Sequence, residues 1–302
     1  MVPHRILITG GTGLLGSTLV RTATGDFEIA ASYNKIFPIT ERARFVRLDI
    51  TDRKRVFEVF EDIMPEILIH TAALANVDYC ETHKEKAWNV NIGGTANLLD
   101  ACDKHNTKMV FISTNAVFDG EHAPYSEEDE PNPINYYGKT KLEAEALVRE
   151  RGANHAVARL MTMYGWNNPG ERQNHVTWLL SKLTKGEAVH VVDDIYNNHL
   201  FVDNCADAIW AMVRLKKEGI YHIAGKECIS TYELAMETAD VFELDKTLIN
   251  RVKSDFFKFP APRPRNTCYV TKKMEKEFGV KPLGVKEGLL YMKQRRPQWV
   301  TV

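Results

Sequence analysis

Short apolar runs alternate with amphipathic stretches along the first half of the chain. Residues 5–9 are mostly apolar and enter glycines at once, which predicts a buried strand. Residues 14–23 carry helical spacing. Residues 27–33 and 44–48 predict a second and third strand, and 67–70 a fourth. Between the third and fourth, Val56, Phe57, Val59, Phe60 and Ile63 fall on one side of a helix that Thr51 or Asp52 can cap. A long helix is expected through 87–102, then a strand at 109–113, a helix over 135–151 and a strand at 156–160.

Strands this short and apolar, each followed by a helix, indicate parallel βαβ units. The expected fold is α/β, a Rossmann-type doubly wound parallel sheet with a smaller C-terminal α/β domain. Residues 1–160 are expected to form the dinucleotide-binding domain, with 196–225 returning to it. Residues 161–302 are expected to be mainly substrate-binding. In that part the pattern is less regular. Ser230 and Glu233 have capping-box spacing, and the proline-rich stretch at 259–264 breaks regular structure. The acidic run at 127–130 reads as a solvated loop.

Composition narrows the class without naming it. The 302 residues are 44% hydrophobic and 26% charged, with a net charge of -1. That is an ordinary globular balance, and it offers no broad basic surface for nucleic acid or membrane. The opening apolar run is too short for a signal peptide, and no stretch approaches the ~18 apolar residues of a membrane span. A cytoplasmic protein is expected. Cys80, Cys102, Cys205, Cys228 and Cys268 are scattered and odd in number, so they read as five reduced thiols. The histidines show no metal-ligand spacing; His70 and His199 read as structural, and no metal is expected.

Gly10, Gly13 and Gly16 stand between the first strand and the first helix. In that context the spacing predicts a dinucleotide turn: a tight bend, backbone room for a pyrophosphate, and close helix–strand packing. A nucleotide-hydrolase loop would need lysine after the last glycine, and position 17 is Ser17. The second strand ends in Asn34 and Lys35 without the acid that would bind an NAD ribose. Lys35 suits a 2′-phosphate, so NADP(H) is the expected cofactor, with NAD(H) possible.

Tyr137 and Lys141 lie four residues apart on the predicted 135–151 helix and share one face. An ammonium beside a phenol favours the phenolate, so Tyr137 can act as proton donor or base. Ser113 and Thr114 end the preceding strand, where ligands bind in such sheets. Thr114 can bond the carbonyl that Tyr137 protonates. A second such spacing, Tyr269 with Lys273, lacks this context and is taken as coincidence.

These motifs, with Asp49-Ile50, residues 71–73, Asn89, Asn91 and the stretches 113–120, 124–145 and 263–267, resemble the extended short-chain dehydrogenase/reductases. More narrowly, they resemble the dTDP-4-dehydrorhamnose reductases. The resemblance implies that Gly10, Thr12, Gly13, Leu14, Leu15 and Gly16 hold the pyrophosphate, with Asn34 and Lys35 near the adenosine. It places Asp49 and Ile50 by the adenine, and Thr71, Ala72, Ala73 and Asn91 along the cofactor. Lys141 would hold the nicotinamide ribose, Tyr137 would be the acid and Thr114 would position the carbonyl. Asn115, Thr162, Arg263 and Asn266 would face a nucleotide-diphosphate sugar, and Arg263 could pair with its diphosphate or serve packing.

Three positions depart from the pattern: Asn115 and Ala116 replace an aspartate and a tyrosine, and Thr162 replaces a tryptophan. The C-terminal part also resembles the beta regulatory subunit of methionine adenosyltransferase, which implies a cofactor-binding partner protein as the alternative. Epimerases and dehydratases of nucleotide sugars use the same hydride chemistry. A homodimer is expected only by analogy of fold.

Overall fold

A computed structural model describes residues 4–152 and 154–298. Strands β1 (His4–Thr9), β2 (Phe27–Tyr33), β3 (Arg44–Arg47), β4 (Ile67–His70), β5 (Lys108–Thr114) and β6 (Ala156–Leu160) are joined by a seventh, Gly219–Ile223. They form one sheet in the order seventh, β6, β5, β4, β1, β2, β3, and every neighbouring pair is parallel. The expected doubly wound sheet is what folds.

Both faces of this sheet are covered, which explains why its strands read as continuous apolar runs. Side chains alternate along a strand. Ile6 and Ile8 of β1 therefore enter the layer shared with α1 (Leu14–Thr22). Leu7 enters the opposite layer with α2 (Arg53–Ile63). Asp52, not Thr51, caps α2 by accepting from the Arg55 N–H.

The chain order reverses at β1. Strands β2 and β3 build outward on one side, and β4, β5 and β6 on the other. The crevice at the carboxyl ends of β1 and β4 is the place where such sheets bind ligands. It has the 10–16 turn on one lip and residues 71–73 on the other.

The single helix expected over 87–102 is three pieces. After α3 (Val77–Thr82), α4 (Lys84–Trp88) runs into one wide π-turn, Asn89–Gly93, and then α5 (Gly94–His105). The Asn91 side chain lies in this turn. It accepts from the Leu74 N–H at 2.8 Å and donates to Thr140 Oγ1 at 3.0 Å. Local widening of this kind accompanies functional sites, and here it ties the crevice lip to α6 (Tyr136–Glu150).

The C-terminal part gathers α7 (His175–Leu183), α9 (Thr231–Phe242) and α11 (Val285–Gln294) around two small apolar clusters, while α8 (Val202–Arg214) packs on α1 and α10 (Lys272–Phe278) lies beside α8. The capping box at Ser230 and Glu233 forms. The run at 127–130 is not wholly solvated: a Glu127 carboxylate oxygen accepts the His222 N–H at 2.9 Å. Among the described residues no helix is long and apolar enough to cross a membrane.

The reading of five reduced thiols is corrected. Cys228 and Cys268 form a disulfide, with Cα atoms 5.7 Å apart, while Cys80, Cys102 and Cys205 are free and buried. The partners are 40 residues apart in sequence, so spacing gave no sign of the bond. The strand Tyr196–Asn197 brings them together, pairing with Ile229–Ser230 on one side and with Asn266 on the other.

Candidate active site

The glycine turn is shaped by what surrounds it. Gly10 has φ of +68°, and a side chain there would meet Thr71 Oγ1 at 2.9 Å and the Ala72 nitrogen at 3.0 Å. A side chain on Gly16 would collide with the Gly10 carbonyl oxygen. A side chain on Gly13 would overlap nothing, meeting only Gly10 O at 3.4 Å and Glu171 Oε1 at 4.0 Å. Gly13 also begins α1, which has no side-chain cap and no acidic residue in its first turn. The first amide groups of a helix lack internal partners and carry the positive end of its dipole. Those of Leu14, Leu15 and Gly16 are thus available to an anion.

At the adenosine end, Asn34 donates to Asp49 Oδ2 at 3.3 Å. Hydrogen bonds from Thr51 hold the Asp49 carboxyl below its ordinary range, and the Lys35 charge contributes. Ile50 is buried against Gly94. On the opposite lip Thr71 donates to Thr9 O at 2.6 Å, and Ala72 and Ala73 are half-buried. Asn91, with its amide engaged by Leu74 and Thr140, shapes this lip from behind.

His70 lies below. Its ring nitrogens meet Thr9 Oγ1 at 2.8 Å and Thr95 Oγ1 at 3.1 Å. Thr95 donates its own proton to Asn91 O, so His70 Nε2 carries hydrogen and Nδ1 accepts from Thr9. Burial, with the Lys141 charge behind it, pulls this imidazole down to about 3. It is a neutral structural residue.

Helix α6 brings Tyr137 to Thr114 by close approach. Asn135 caps the helix by accepting the Gly138 N–H at 2.8 Å. A side chain on Gly138 would overlap the Ala116 carbonyl. With glycine there, the helix seats against the turn Asn115–Val117 that follows β5, which brings the Tyr137 hydroxyl close to the Thr114 side chain. Tyr137 keeps part of its surface open to the crevice while protein surrounds the rest. Burial pushes its phenol up to about 12, and the nearby Thr114 hydroxyl opposes that shift.

Lys141, one turn further along α6, is 3% exposed, and its Nζ lies 4.0 Å from the Phe111 ring centroid. Burial pulls its ammonium down to about 7, opposed by the charge of Glu145. Glu145 accepts from Ser113 Oγ and holds Arg159 Nε and Nη2 at 3.1 and 2.8 Å. The Arg159–Glu145 pair is 2% and 1% exposed.

The second spacing, Tyr269 with Lys273, is not on one helical face. Helix α10 starts at Lys272. Tyr269 stacks on His222 at 3.9 Å, and Lys273 donates to Ile220 O.

The four expected substrate residues divide. Asn115 stands beside Thr114 and donates to Thr267 Oγ1 at 2.6 Å and Asn197 Oδ1 at 3.0 Å. Thr162 is half-buried after β6, and its carbonyl receives the Leu200 N–H at 3.0 Å. Arg263 donates to Asp78 Oδ2 at 2.7 Å and to Ala261 O at 3.1 Å, so much of its fork is occupied within the protein. Asn266 accepts the Cys268 N–H at 3.1 Å.

Sequence reading missed Asn197, Thr267 and His175. The imidazole of His175 is pulled down by burial, then by the charges of Arg172 and Arg263, which places the three in one field. The stretch Asn174-His175 was open to reading as a helix start, since Asn174 caps α7, but nothing linked it to the crevice. A cavity of about 480 Å³ lies on the other shoulder of the turn, where Gly11 and Thr12 meet Phe37, Trp166, Phe201 and Met292; Tyr137 and Lys141 do not line it.

Known proteins are similar to this chain in sequence and fold. A probable low-salt glycan biosynthesis reductase of Haloferax volcanii is 32% identical over 90% of this chain and 91% of its own length. Methionine adenosyltransferase 2 subunit beta of Danio rerio is 30% identical over 90% of this chain and 84% of its own. A crystal structure of dTDP-4-dehydrorhamnose reductase from Bacillus anthracis, in complex with NADP, superposes with a TM-score of 0.87 at 26% identity, covering 97% of this chain and 99% of that one. Residues 4–296 match the model of the RmlD substrate binding domain, and the chain belongs to that family.

Proposed function

We propose that this protein is an NADPH-dependent reductase acting on the 4-keto carbon of a nucleotide-linked deoxysugar. The observation that carries the reading is the seating of α6 on the turn that follows β5, which sets Tyr137 beside Thr114 with Lys141 one helical turn further on, at the crevice that the glycine turn opens onto. A dinucleotide fits the residues present: Gly13 leaves room, the α1 N-terminus lacks a cap, and Lys35, exposed just past the end of β2, can meet a 2′-phosphate. NADH is the weaker alternative. The related enzyme from Bacillus anthracis binds NADP.

When bound, NADPH supplies the hydride that reaches the carbonyl carbon. Thr114 orients the carbonyl oxygen by a hydrogen bond. Tyr137 donates its proton to that oxygen as negative charge develops, which completes the alcohol. Lys141 stabilises the tyrosinate left behind and holds the nicotinamide ribose. Its ammonium is buried, so its charge is felt strongly when it is present. Asn115, whose amide nitrogen is committed to Asn197 and Thr267 and whose Oδ1 accepts from Thr114 at 3.3 Å, fixes the floor beside the reacting carbonyl. Arg172 and Arg263, whose charges reach the buried, neutral His175, lend positive field to the side where a diphosphate would enter.

The test is loss of NADPH absorbance with a panel of dTDP-, GDP- and UDP-linked 4-keto sugars. Turnover with one of them supports the reading. A second reading, a cofactor-binding regulatory subunit, is favoured by the methionine adenosyltransferase relatives and by Asn115, Ala116 and Thr162. NADPH binding without turnover across the panel, together with co-purification of a partner enzyme, would select it.

A further inference from the structure

The loop 165–174 is fastened over the glycine turn. Asn174 donates to Gly165 O at 2.7 Å and Asn167 to Arg172 O at 3.1 Å. Asn168 reaches across to Thr12 O at 3.4 Å. Glu171 is carried at the centre of this loop. One carboxyl oxygen, Oε2, accepts the Asn168 N–H at 2.6 Å and lies 3.5 Å from Asn167 Nδ2. The other, Oε1, is buried without a hydrogen-bond partner. It lies 4.0 Å from the point where a side chain on Gly13 would begin. A lone buried carboxyl oxygen thus points into the space above the uncapped start of α1.

We propose that Glu171 is a proton-linked gate on the dinucleotide site, standing beside the phosphate position at α1, where it repels the pyrophosphate when ionised and donates a hydrogen bond to it when protonated. This rests on the dinucleotide reading above. While the site is empty, a carboxylate near an uncapped helix start gains from the dipole, although no α1 amide bonds Oε1. A pyrophosphate brings further negative charge to the same helix start, and like charges in a buried site repel strongly. Asn168 and Asn167 anchor Oε2, so the carboxyl is not free to swing away. A proton on Oε1 removes the repulsion and turns the orphan acceptor into a donor.

The surroundings allow this. Burial pushes the Glu171 carboxyl up to about 7, with the Asn168 and Asn167 bonds opposing. No charged side chain is among the causes. Within the loop, the field of Arg172 falls on His175. On α1 the first turn has no acid, and Arg21, two turns on, is paired with Asp203 from α8. The group therefore titrates near neutral pH, and a phosphate neighbour would raise it further. The sign follows. NADPH affinity is constant below about pH 7, where the carboxyl already holds its proton, and falls as pH rises above it.

The experiment is calorimetric titration of NADPH into the intact protein and into Glu171→Gln, from pH 6 to 9, in two buffers of different ionisation enthalpy. The wild-type protein should lose about tenfold in affinity per pH unit above 7 and take up about one proton more than the variant at pH 8.5. Glu171→Gln should bind more tightly than wild type at pH 8.5, with a flatter profile. Titration of the ligand's own phosphate is common to both proteins and cancels in the difference. Parallel affinity profiles and equal proton uptake would overturn the gate and leave the dinucleotide site standing. Absence of NADPH binding to either protein would overturn the dinucleotide reading and the gate with it.

Discussion

Lys141 and Glu145 are one turn apart on α6, yet Glu145 is committed to Arg159, which it binds through both Nε and Nη2. The lysine is left with a distant counter-charge and a phenylalanine ring. An ammonium in such a place is poorly solvated and only partly compensated.

The first prediction concerns stability against pH. Lys141 titrates at about 7 in the folded chain and at ~10.4 when unfolded. Between those values the unfolded chain binds more protons, so folding gains stability as pH rises. Below about pH 7 both states are protonated and the full penalty of the buried charge is present. Lys141→Met without cofactor should therefore be more stable than wild type at pH 6, by roughly 5 kcal/mol at most. The advantage should shrink steadily towards pH 10. Urea denaturation of both proteins across that range measures it; a constant difference would refute the burial argument.

Replacing Glu145 by Gln leaves the Arg159 guanidinium buried without its counter-charge, and one of its nitrogens, Nη1, already lacks a partner. Loss of one member of a buried pair costs about 3–5 kcal/mol. Removing both, as in Glu145→Gln with Arg159→Met, should recover most of that loss. A double-mutant cycle by chemical denaturation reads the coupling.

The glycine turn predicts a contrast between two alanine variants. Gly16→Ala places a methyl on the Gly10 carbonyl and should destabilise the fold by about 1–3 kcal/mol or more. Gly13 has φ of -79°, and a side chain there would make only ordinary contacts, so Gly13→Ala should fold normally. Its methyl would stand where the pyrophosphate belongs, weakening NADPH at least ~10-fold, or about 1.4 kcal/mol. Melting temperature and calorimetry together separate the two effects.

Without reductant the denatured protein should show three titratable thiols, those of Cys80, Cys102 and Cys205. The bond from Cys228 to Cys268 closes a segment spanning 40 residues, and its loss should lower stability by about 4 kcal/mol on chain-entropy grounds. Five thiols before reduction would remove the disulfide from the account.

The parts of the fold legible in sequence were those governed by local chemistry. Strands buried on both faces had to be apolar throughout, and the glycines at 10, 13 and 16 had to stand between a strand and a helix. Tyr137 and Lys141 were legible because a helix sets their spacing and Asn135 marks its start. Other features depend on contacts distant in sequence. The break in the helix around Asn91 reflects that residue's bonds to Leu74 and Thr140. Asn115, Asn197 and Thr267 meet only after three separate segments fold together. Cys228 and Cys268 are joined through the short strand at Tyr196. No periodicity encodes such meetings.

The central claim is that Tyr137 is the proton donor of a ketone reductase. Its most direct test is NADPH oxidation by wild type and Tyr137→Phe, using whichever nucleotide-linked 4-keto sugar the panel identifies, with NADPH affinity measured in parallel. The account predicts a fall in kcat of about 10²–10⁴ with cofactor affinity nearly unchanged. Turnover by Tyr137→Phe at the wild-type rate would contradict it.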